Sequence, residues 1–586
     1  MRYLRVLTNS AIASALLSAY LTMATLHLNP AYPLSEAGPL AAAFALAYGA
    51  NAILVFYALV VLRQVAAVEV LSPGWLSVRV LAWMCTISAS VGATVLWLNA
   101  ADLSPFLAAD TARRMSLAAI AVAICGGVFL IVALAHIGRR GTAPSGVLLV
   151  TTMALSVAVP LTLRGSANTA TPVALPTRTV RPPVGPDVAG GRVVLLAVDG
   201  ASLDHISLAV AEGRLPNFGR LLDAGASAYL ATLRPTQAEP IWTTVATGRM
   251  PQTSGVRSAA RYVVSDQAPR VDVLPDYVFS QALVRYGFLR AEPHGPDSMA
   301  SMPLWRILSE RGVRVGVIGW PLTHPAPPVR GYVVSDVLHR VDDARFTLDG
   351  AAAVSPPSLW TAVAAARALP LAPDPRDVLA RAGRLLRGAA SDGRVDAAPA
   401  QADSLHLRLF AALEAARPSR FVALRLPGLD AVAHYFLRFA SPEEFGDVTA
   451  EEHDAFGTVL DDYYAVLDAA VGRLHESLGP DDLVIVVSSH GIEPLTPVKR
   501  ILERLVGDDQ LSGTHERAPD GFVMAMGPAV QPGRRERGSV ADIAPTVLYF
   551  LGLPIGRDMD GRARSDFFTP AFTATRPVTF IPGYGR

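Results

Sequence analysis

The sequence predicts an α/β domain, with helices flanking a sheet, preceded by an all-α transmembrane domain of five helices. Three observations indicate this fold class: long apolar stretches recur through residues 1–163, apolar runs alternate with amphipathic segments from Gly191 onward, and polar clusters follow several of those runs. The composition agrees, since 51% of the residues are hydrophobic and only 17% are charged. A chain of 586 residues is therefore expected to contain two or three domains.

Residues 1–163 contain five apolar stretches, each close to the roughly 20 residues that a helix needs to cross a bilayer. They cover residues 10–28, 38–62, 77–99, 116–137 and 145–163. The first stretch follows the basic segment MRYLR, and a cleaved signal peptide is its alternative interpretation. Because four more stretches follow closely, we favour a retained helix.

The placement of arginines predicts the orientation of these helices, because short cytoplasmic loops carry an excess of basic residues. With the N-terminus inside, the cytoplasmic side carries Arg2, Arg5, Arg63, Arg79, Arg139 and Arg140. The opposite side carries Arg113, Arg114 and Arg164. The sequence thus predicts a multi-pass membrane protein whose C-terminal domain lies on the extracytoplasmic side.

The rest of the chain divides by composition. Residues 164–190, rich in Pro, Thr and Ala, are typical of an extended linker. Residues 191–586 form the predicted α/β domain. Less regular, Ala/Pro/Arg-rich segments near 257–300 and 337–403 are expected to be insertions that cap one edge of its sheet.

Four apolar runs of the second half predict buried parallel strands, and one amphipathic run predicts a single long helix. The strand sequences are RVVLLAVDG, VRVGVIGWP, RFVALRLPGLD and DDLVIVVSSHG, and the helix sequence is EEHDAFGTVLDDYYAVLDAAVGRLHESLG. In such sheets, ligands bind beyond the carboxyl ends of the strands. Polar residues at these ends are therefore the first candidates for a site.

Five residues at or near strand ends are candidate metal ligands: Asp199, Asp430, His434, His490 and His515. Asp430 and His434 are four residues apart, so on a helix they would share one face. Taken singly, each residue has an ordinary structural explanation, such as a turn at Asp199 or a surface contact at Asp430 and His434. Taken together, they offer the carboxylate and imidazole ligands that a divalent metal such as zinc takes.

Several motifs across residues 191–565 resemble the type I phosphodiesterase/nucleotide pyrophosphatase branch of the alkaline phosphatase superfamily. They are VVLLAVDG, PTQAEPIWTTVATGRMP, LWRILSERGVRVGVIGWP, DAVAH, VVSSHG, GTHERAPDGF and VADIAPTVLYFLGLPIGRDMDGR. The resemblance implies an alkaline-phosphatase-like, doubly wound sheet and a two-metal phosphoester site. One metal would be held by Asp430, His434 and His515. The second would be held by Asp199, His490, an Asp next to His490 and the nucleophile's own oxygen.

Two positions depart from this pattern, and both belong to the second metal. Ala238 stands where the family has its hydroxyl nucleophile, and Ser489 stands where it has the metal-binding Asp. One interpretation is a rearranged site, in which Glu239 replaces the lost carboxylate and Thr236 or water attacks. The alternatives are a catalytically degraded scaffold or regulator in the cell envelope that binds metal and phosphate, and an envelope phospho-alcohol transferase.

The remaining features narrow the class of partner. A net charge of +1 gives no indication of nucleic-acid binding, and the single lysine, Lys499, excludes a P-loop. The expected partner is a phosphate-containing small molecule or a lipid-linked substrate. Trp320 and His324 follow a predicted strand, where they either line the substrate edge or form a Pro-fixed connection with a packed Trp. Substrate and oligomeric state are not predicted.

Overall fold

The computed structural model describes residues 2–66, 76–135, 143–165, 191–340, 349–388, 398–506 and 510–585. Most of the predicted linker 164–190 and parts of the predicted insertion 337–403 lie outside these residues. The chain divides into two compact units. The N-terminal unit comprises Met1–Thr171 and Arg257–Pro293, and the sheet unit comprises Pro172–Val256 and His294–Arg586.

The helices, numbered in chain order, are α1 Arg2–Leu28, α2 Ala37–Phe44, α3 Ala50–Ala66, α4 Leu76–Asp102, α5 Ala109–Ala135, α6 Ala143–Leu163, α7 Leu203–Ala211, α8 Pro216–Ala224, α9 Ala238–Thr247, α10 Pro251–Ser254, α11 Ser280–Arg285, α12 Leu304–Glu310, α13 Trp360–Ala366, α14 Pro375–Gly388, α15 Ala398–Ala416, α16 Gly428–Ala440, α17 Pro442–Phe445, α18 Ala450–Phe456, α19 Val459–Glu476, α20 Pro497–Val506, α21 Ile543–Phe550 and α22 Pro570–Thr575. A π-helical turn, Ala45–Gly49, joins α2 to α3.

The strands are β1 Val193–Val198, β2 Ala226–Ala231, β3 Ala260–Val263, β4 Arg290–Pro293, β5 Val315–Trp320, β6 Gly331–Ser335, β7 Val354–Ser355, β8 Phe421–Leu426, β9 Leu483–His490, β10 Glu493–Pro494, β11 Gly513–Thr514, β12 Asp520–Met526, β13 Gly533–Arg534, β14 Gly538–Ser539, β15 Ile555–Gly556 and β16 Phe580–Ile581.

The N-terminal unit contains five helical segments that are long and apolar enough to cross a membrane, as predicted. Their bounds are Val6–Leu28, Leu34–Leu62, Val78–Asp102, Ala109–Ala135 and Pro144–Leu163. A helix suits such a sequence because it satisfies its backbone hydrogen bonds internally, without water. The first segment is the one most enclosed by its neighbours, because 72% of its most apolar stretch of 18 residues is buried.

Small and hydroxyl-bearing residues hold α1 against the other helices of this unit. The Tyr20 hydroxyl donates to Ser156 Oγ at 2.7 Å, and Ser88 Oγ donates to the Ala13 carbonyl at 3.0 Å. A Cβ at Gly92 would lie 2.7 Å from the Tyr20 ring, so the glycine makes room for that ring. Packing through small residues and interhelical hydrogen bonds is the usual means by which membrane helices associate.

Residues 257–293, from the first predicted insertion, belong to the N-terminal unit rather than to the sheet unit. Two buried asparagines explain this grouping. The Asn29 side chain accepts from the Asp272 and Val273 amides at 2.8 and 3.0 Å, and it donates to the Val273 carbonyl at 2.7 Å. Asn99 exchanges hydrogen bonds with the Asp276 backbone at 2.7 and 3.1 Å. Each amide satisfies backbone groups that would otherwise be buried without partners.

The sheet unit is built on a 10-stranded sheet, with the order β13-β2-β12-β9-β1-β8-β5-β6-β7 and β14 paired to β2. The four predicted strands are present as β1, β5, β8 and β9, and they are parallel to one another. The sheet as a whole is mixed, however, because β12 runs antiparallel to β9 and β2, and β7 runs antiparallel to β6. The sequence thus predicts the parallel central strands but not the antiparallel β7 and β12. From β9 the chain returns to β12 without the crossover that a parallel pair needs.

Helices cover the sheet, so its central strands are buried along their whole length; all six residues of β1 and all six of β5 are buried. Continuous apolar runs are typical of strands covered on both faces. The predicted long helix before β9 is divided into α18 and α19 at Gly457 and Thr458. A Cβ at Gly457 would lie 2.6 Å from the His453 carbonyl oxygen, which shows how tightly the chain turns there.

Candidate metal centre and phosphoester site

The carboxyl ends of β1, β8 and β9 lie side by side and carry the site. Val198 is in register with Leu426 of β8 and with Ser488 of β9. Asp199, Ser489 and the segment that leads into α16 therefore leave the sheet at the same level. This shared edge brings together residues that are up to about 300 positions apart in the sequence, as is usual for ligand sites in open α/β sheets.

The helix α16 begins two residues after β8 and carries Asp430 in its first turn and His434 one turn later. A buried carboxylate fixes its start: Asp403 accepts from the Gly428 amide at 3.1 Å and from the Tyr463 hydroxyl at 2.8 Å. A Cβ at Gly428 would lie 1.8 Å from the Tyr463 hydroxyl oxygen, so only glycine fits there. Burial raises the pKa of Asp403 well above its usual value.

Asp430, His434 and His515 offer three ligand atoms that lie within 4.8 Å of one another. His434 Nε2 is 3.5 Å from the nearer Asp430 oxygen, and the rings of His434 and His515 have their centroids 5.0 Å apart. His515 directly follows β11, whose short antiparallel pairing with β10 holds this segment beside α16. Three of the five predicted metal ligands thus form one cluster.

The hydrogen bonds of this cluster fit a bound metal ion. His434 Nδ1 lies 2.8 Å from the Gly513 carbonyl oxygen and donates to it, so in the neutral ring Nε2, which faces Asp430, has the lone pair that a metal ligand needs. Asp430 Oδ1 and His515 Nδ1 are buried and have no hydrogen-bond partner within the described part of the chain. Buried polar atoms without partners are rare, and a metal ion at this position would satisfy both.

The electrostatics of the cluster favour the metal-binding, deprotonated forms of His515 and Asp430. Burial lowers the pKa of His515 to about 4, so this imidazole is neutral near pH 7. Burial alone would raise the pKa of Asp430, but the hydrogen bond and charge of His434 and the nearby histidines bring it well below its usual value. Burial opposes protonation of His434, yet its bond to Asp430 raises the pKa of the ring. A cation would compete with that proton.

Asp199, the fourth predicted ligand, is engaged by other groups. Only 4% of the residue is exposed, and Trp242 Nε1 donates to its Oδ1 at 2.7 Å. The Arg425 guanidinium forms an ion pair with the same carboxylate, through Nη2 to Oδ2 and through Nε to Oδ1 at 3.3 Å. Both carboxylate oxygens of Asp199 therefore already accept hydrogen bonds, Oδ1 from Trp242 and Arg425 and Oδ2 from Arg425.

The fifth predicted ligand, His490, lies next to the cluster, with its ring centroid 4.8 Å from that of His515. Its Nδ1 is 3.0 Å from the Gly491 carbonyl oxygen. The neighbouring Ser489 is completely buried, and its hydroxyl has no hydrogen-bond partner among the described residues. Of the residues predicted for the second metal, only Asp199 and His490 have carboxylate or imidazole side chains, since Ala238 and Ser489 stand at the other two positions.

The turn between β2 and α9 holds the candidate catalytic residues. Thr236 is 2% exposed, and its hydroxyl donates to the Leu233 carbonyl at 3.1 Å. Ala238 is the first residue of α9, and Glu239 follows it in the first helical turn. Burial raises the pKa of Glu239 to about 7, although the charge of Arg425 works in the opposite direction. The negative charges of Asp336 and Asp199 also raise the pKa of Glu239, so Glu239 lies near Arg425, Asp336 and Asp199.

Trp320 is part of the core rather than of an open edge. It is 1% exposed, its ring packs edge-on against those of Trp242 and Trp305, and its Nε1 donates to the Trp242 carbonyl at 3.3 Å. The structure thus agrees with the interpretation of a packed Trp. His324 lies in the following loop, close enough to Asp336 for an electrostatic interaction.

Sequence reasoning missed Arg425, Asp336 and Asp403. Arg425 was detectable, because it is the only charged residue inside the otherwise apolar run FVALRL. A charge in a buried strand needs a partner, and the strand register shows which one. Arg425 pairs in register with Ala197, so Asp199, two residues further along β1, lies on the same face of the sheet. The other two acids carry no comparable signal in the sequence.

We expect Gly200→Ala to weaken metal binding as well as stability. Gly200 has a φ of +76°, and a Cβ there would lie 2.8 Å from the Asp430 Cα, so the substitution pushes against the residue that carries a ligand. Gly446→Ala is the matched control, because its φ is +69° but its Cβ would meet nothing within 4 Å. Both should lose about 1–2 kcal/mol of stability from backbone strain, and only Gly200→Ala should lose zinc affinity in titration calorimetry. Equal zinc affinities in the two variants would contradict this prediction.

The fold and the site together define a class of protein: a mixed α/β domain with an Asp-His-His candidate metal centre at the carboxyl edge of its sheet. A family model described as type I phosphodiesterase/nucleotide pyrophosphatase matches residues 193–545. Since this match covers more than half of the 586 residues, the chain belongs to the type I phosphodiesterase/nucleotide pyrophosphatase family.

Among solved structures, the chain is similar to murine ectonucleotide pyrophosphatase/phosphodiesterase 5, in an inactive form in complex with AMP. The two are 12% identical, with a TM-score of 0.34 over 65% of this chain and 100% of that chain. No curated protein matches the chain.

Proposed function

We propose that the sheet domain is a metal-dependent phosphoester hydrolase, of the phosphodiester or pyrophosphate type, that works with one divalent cation. The observation that carries this proposal is the Asp430, His434 and His515 cluster, whose ligand atoms lie within 4.8 Å of one another. Zinc suits this set of two imidazoles and one carboxylate, and three protein ligands leave a coordination position open for substrate. When bound, the cation would neutralise charge on the phosphoryl group.

Two further roles, those of the nucleophile and of the general base, follow from the residues near the cluster. A methyl group at Ala238 cannot attack phosphorus, and the buried Thr236 hydroxyl is bonded to the Leu233 carbonyl. We therefore assign the attack to water and the removal of its proton to Glu239. A general base works best when its pKa is close to the working pH, and burial places the pKa of Glu239 at about 7.

Membrane anchoring is the second part of the proposal. The five apolar helical segments support it by length and composition, and the distribution of arginines favours an extracytoplasmic sheet domain. The substrate is accordingly a phosphate ester that is accessible outside the cytoplasm, either a small molecule or a lipid-linked one.

The test is turnover of bis-p-nitrophenyl phosphate by the full-length protein, with and without added zinc, compared with Glu239→Gln. We expect the zinc-loaded wild type to hydrolyse the diester, with a rate that falls as the pH drops below about 7, because Glu239 is then protonated. Glu239→Gln should lose about 100-fold or more of the rate, together with this pH-dependent limb. Glu444→Gln, an exposed carboxylate on α17, is the control and should retain both.

The second candidate function is a binding protein that has lost hydrolysis, and the absence of a hydroxyl at Ala238 and of a carboxylate at Ser489 favours it. Such a protein would bind zinc and a phosphate ester without turning over mono- or diesters. Zinc binding without any turnover, followed by a gain of activity in Ala238→Thr combined with Ser489→Asp, would establish this candidate and exclude the hydrolase.

A further inference from the structure

The second metal site of the family pattern does not fit the residues of this chain. Besides lacking the nucleophile oxygen at Ala238 and the carboxylate at Ser489, the site has no free oxygen on Asp199. Trp242 Nε1 donates to Oδ1, and Arg425 binds both oxygens. A dication placed here would have His490 and a carboxylate whose hydrogen bonds it must first displace.

The Arg425 side chain is built into the sheet at this point. Arg425 is in register with Ala197, and the other five residues of β8 are buried, so the guanidinium extends along the sheet face to reach Asp199. The side chain is only 11% exposed, compared with 6% for that of Asp199. The Arg425 carbonyl accepts from His406 Nδ1 at 2.8 Å, and burial keeps His406 neutral by lowering its pKa to about 3. The position of Arg425 is thus fixed by its backbone as well as by its charge.

The charges around Arg425 are those expected around a metal ion. Three carboxylates act on the guanidinium, those of Asp199, Glu239 and Asp336. An arginine is permanently protonated and offers five N–H donors, so it supplies a fixed positive charge together with directed hydrogen bonds. The hydrogen bonds of Arg425 to described residues use Nε and Nη2, which leaves Nη1 to donate to a ligand.

We propose that the Arg425 guanidinium takes the place of the second metal ion, so that the chain binds a single divalent cation and a phosphate ester is held between that cation and Arg425. The part concerning the phosphate ester rests on the proposed function, whereas the replacement of the metal does not. Arginine is well suited to this task, because its planar fork matches phosphate oxygens. Unlike a metal ion, this charge cannot be removed by a chelator.

The test is the number of zinc ions per chain, measured by elemental analysis of the full-length protein after equilibration with zinc and removal of the excess. We expect one ion in the wild type and one in Ser489→Asp, where the new carboxylate pairs with Arg425. Arg425→Ala combined with Ser489→Asp should bind two, because Asp199, His490 and the new carboxylate then form a three-ligand site. Adding Asp430→Ala to this double variant should remove one ion and leave the other.

The gain of one ion on going from Ser489→Asp to the double variant is the decisive result, because it does not depend on whether the first site binds metal. A wild type that binds none but a double variant that gains one would defeat the proposed function and the single-cation part of this inference, while supporting the replacement of the second metal by Arg425. The inference is overturned if the wild type binds two ions, if Ser489→Asp alone gains one, or if the double variant gains none. If Arg425→Ala prevents folding, as judged by circular dichroism, Arg425→Gln with Ser489→Asp answers the same question with a polar side chain.

Discussion

In a chain with no other substitution, replacing Asp430 by alanine should abolish zinc binding. Asp430 supplies the only carboxylate among the three clustered ligands, and its Oδ1 is buried without another partner among the described residues. Removing it leaves two imidazoles, which carry no negative charge to offset the dication. The loss of affinity should exceed the roughly 10- to 100-fold that the loss of an outer ligand partner costs. Isothermal titration of the full-length protein with zinc measures it directly.

A matched control separates the loss of a ligand from a general loss of negative charge. Glu444→Ala removes an exposed carboxylate from α17, the helix that follows α16, and should leave zinc affinity unchanged. His434→Ala should resemble Asp430→Ala, because His434 Nε2 is the ligand atom that its bond to Gly513 leaves free. If Asp430→Ala binds zinc as tightly as Glu444→Ala does, the cluster is not the metal site.

The elements that the sequence predicts well are those with an unambiguous apolar pattern. The five apolar helices and the strands β1, β5, β8 and β9 have long hydrophobic runs that burial or a bilayer requires whatever the neighbours are. The direction of β12 cannot be predicted from its own residues, because a buried antiparallel strand and a buried parallel strand have the same apolar sequence pattern. The grouping of residues 257–293 with the N-terminal helices depends on contacts with distant residues, such as those of Asn29 and Asn99.

The candidate site shows the same limit. Asp430 and His434 could be assigned to one ligand set because helical spacing puts residues four apart on one face. His515 could be assigned to the same set only through its sequence motif. Its position beside α16 depends on the pairing of β10 with β11, and strands of two residues have no recognisable sequence pattern. The role of Asp199 could not be read from its motif, because its partner Arg425 lies 226 residues away on the neighbouring strand. Charge pairing across a sheet is a property of register, and register is set by the whole fold.

The carboxylates at this edge of the sheet can be balanced by positive charge in two different ways. On one side, Asp430 and two histidines form the candidate site for a divalent cation from solution. On the other, Asp199 is neutralised by a cation that belongs to the chain. Under the proposed function, assembly of the first site would depend on the supply of metal, whereas the charge balance of the second depends on one arginine of the chain.

This dependence gives the last prediction: Arg425→Ala should strongly destabilise the sheet domain even without metal. The substitution leaves Asp199, which is 4% exposed, as a buried carboxylate with Trp242 as its one side-chain donor among the described residues, and it removes the positive charge that offsets Glu239 and Asp336. Breaking a buried ion pair by removing one partner costs about 3–5 kcal/mol. Thermal unfolding of the zinc-free, full-length protein in detergent should show a midpoint several degrees below that of the wild type.

Two further variants make the interpretation specific. Arg425→Gln combined with Asp199→Asn should recover part of the lost stability, because a neutral hydrogen-bonding pair replaces the broken ion pair and position 199 no longer carries an unpaired charge. Arg504→Ala removes one partner of a surface ion pair with Asp447, in which the side chains are 56% and 37% exposed, and should cost no more than about 1 kcal/mol. If Arg425→Ala unfolds at the same temperature as Arg504→Ala, the Arg425–Asp199 pair does not hold this edge of the sheet together. If the double variant is no more stable than Arg425→Ala, the loss comes from the missing side chain rather than from an unpaired charge.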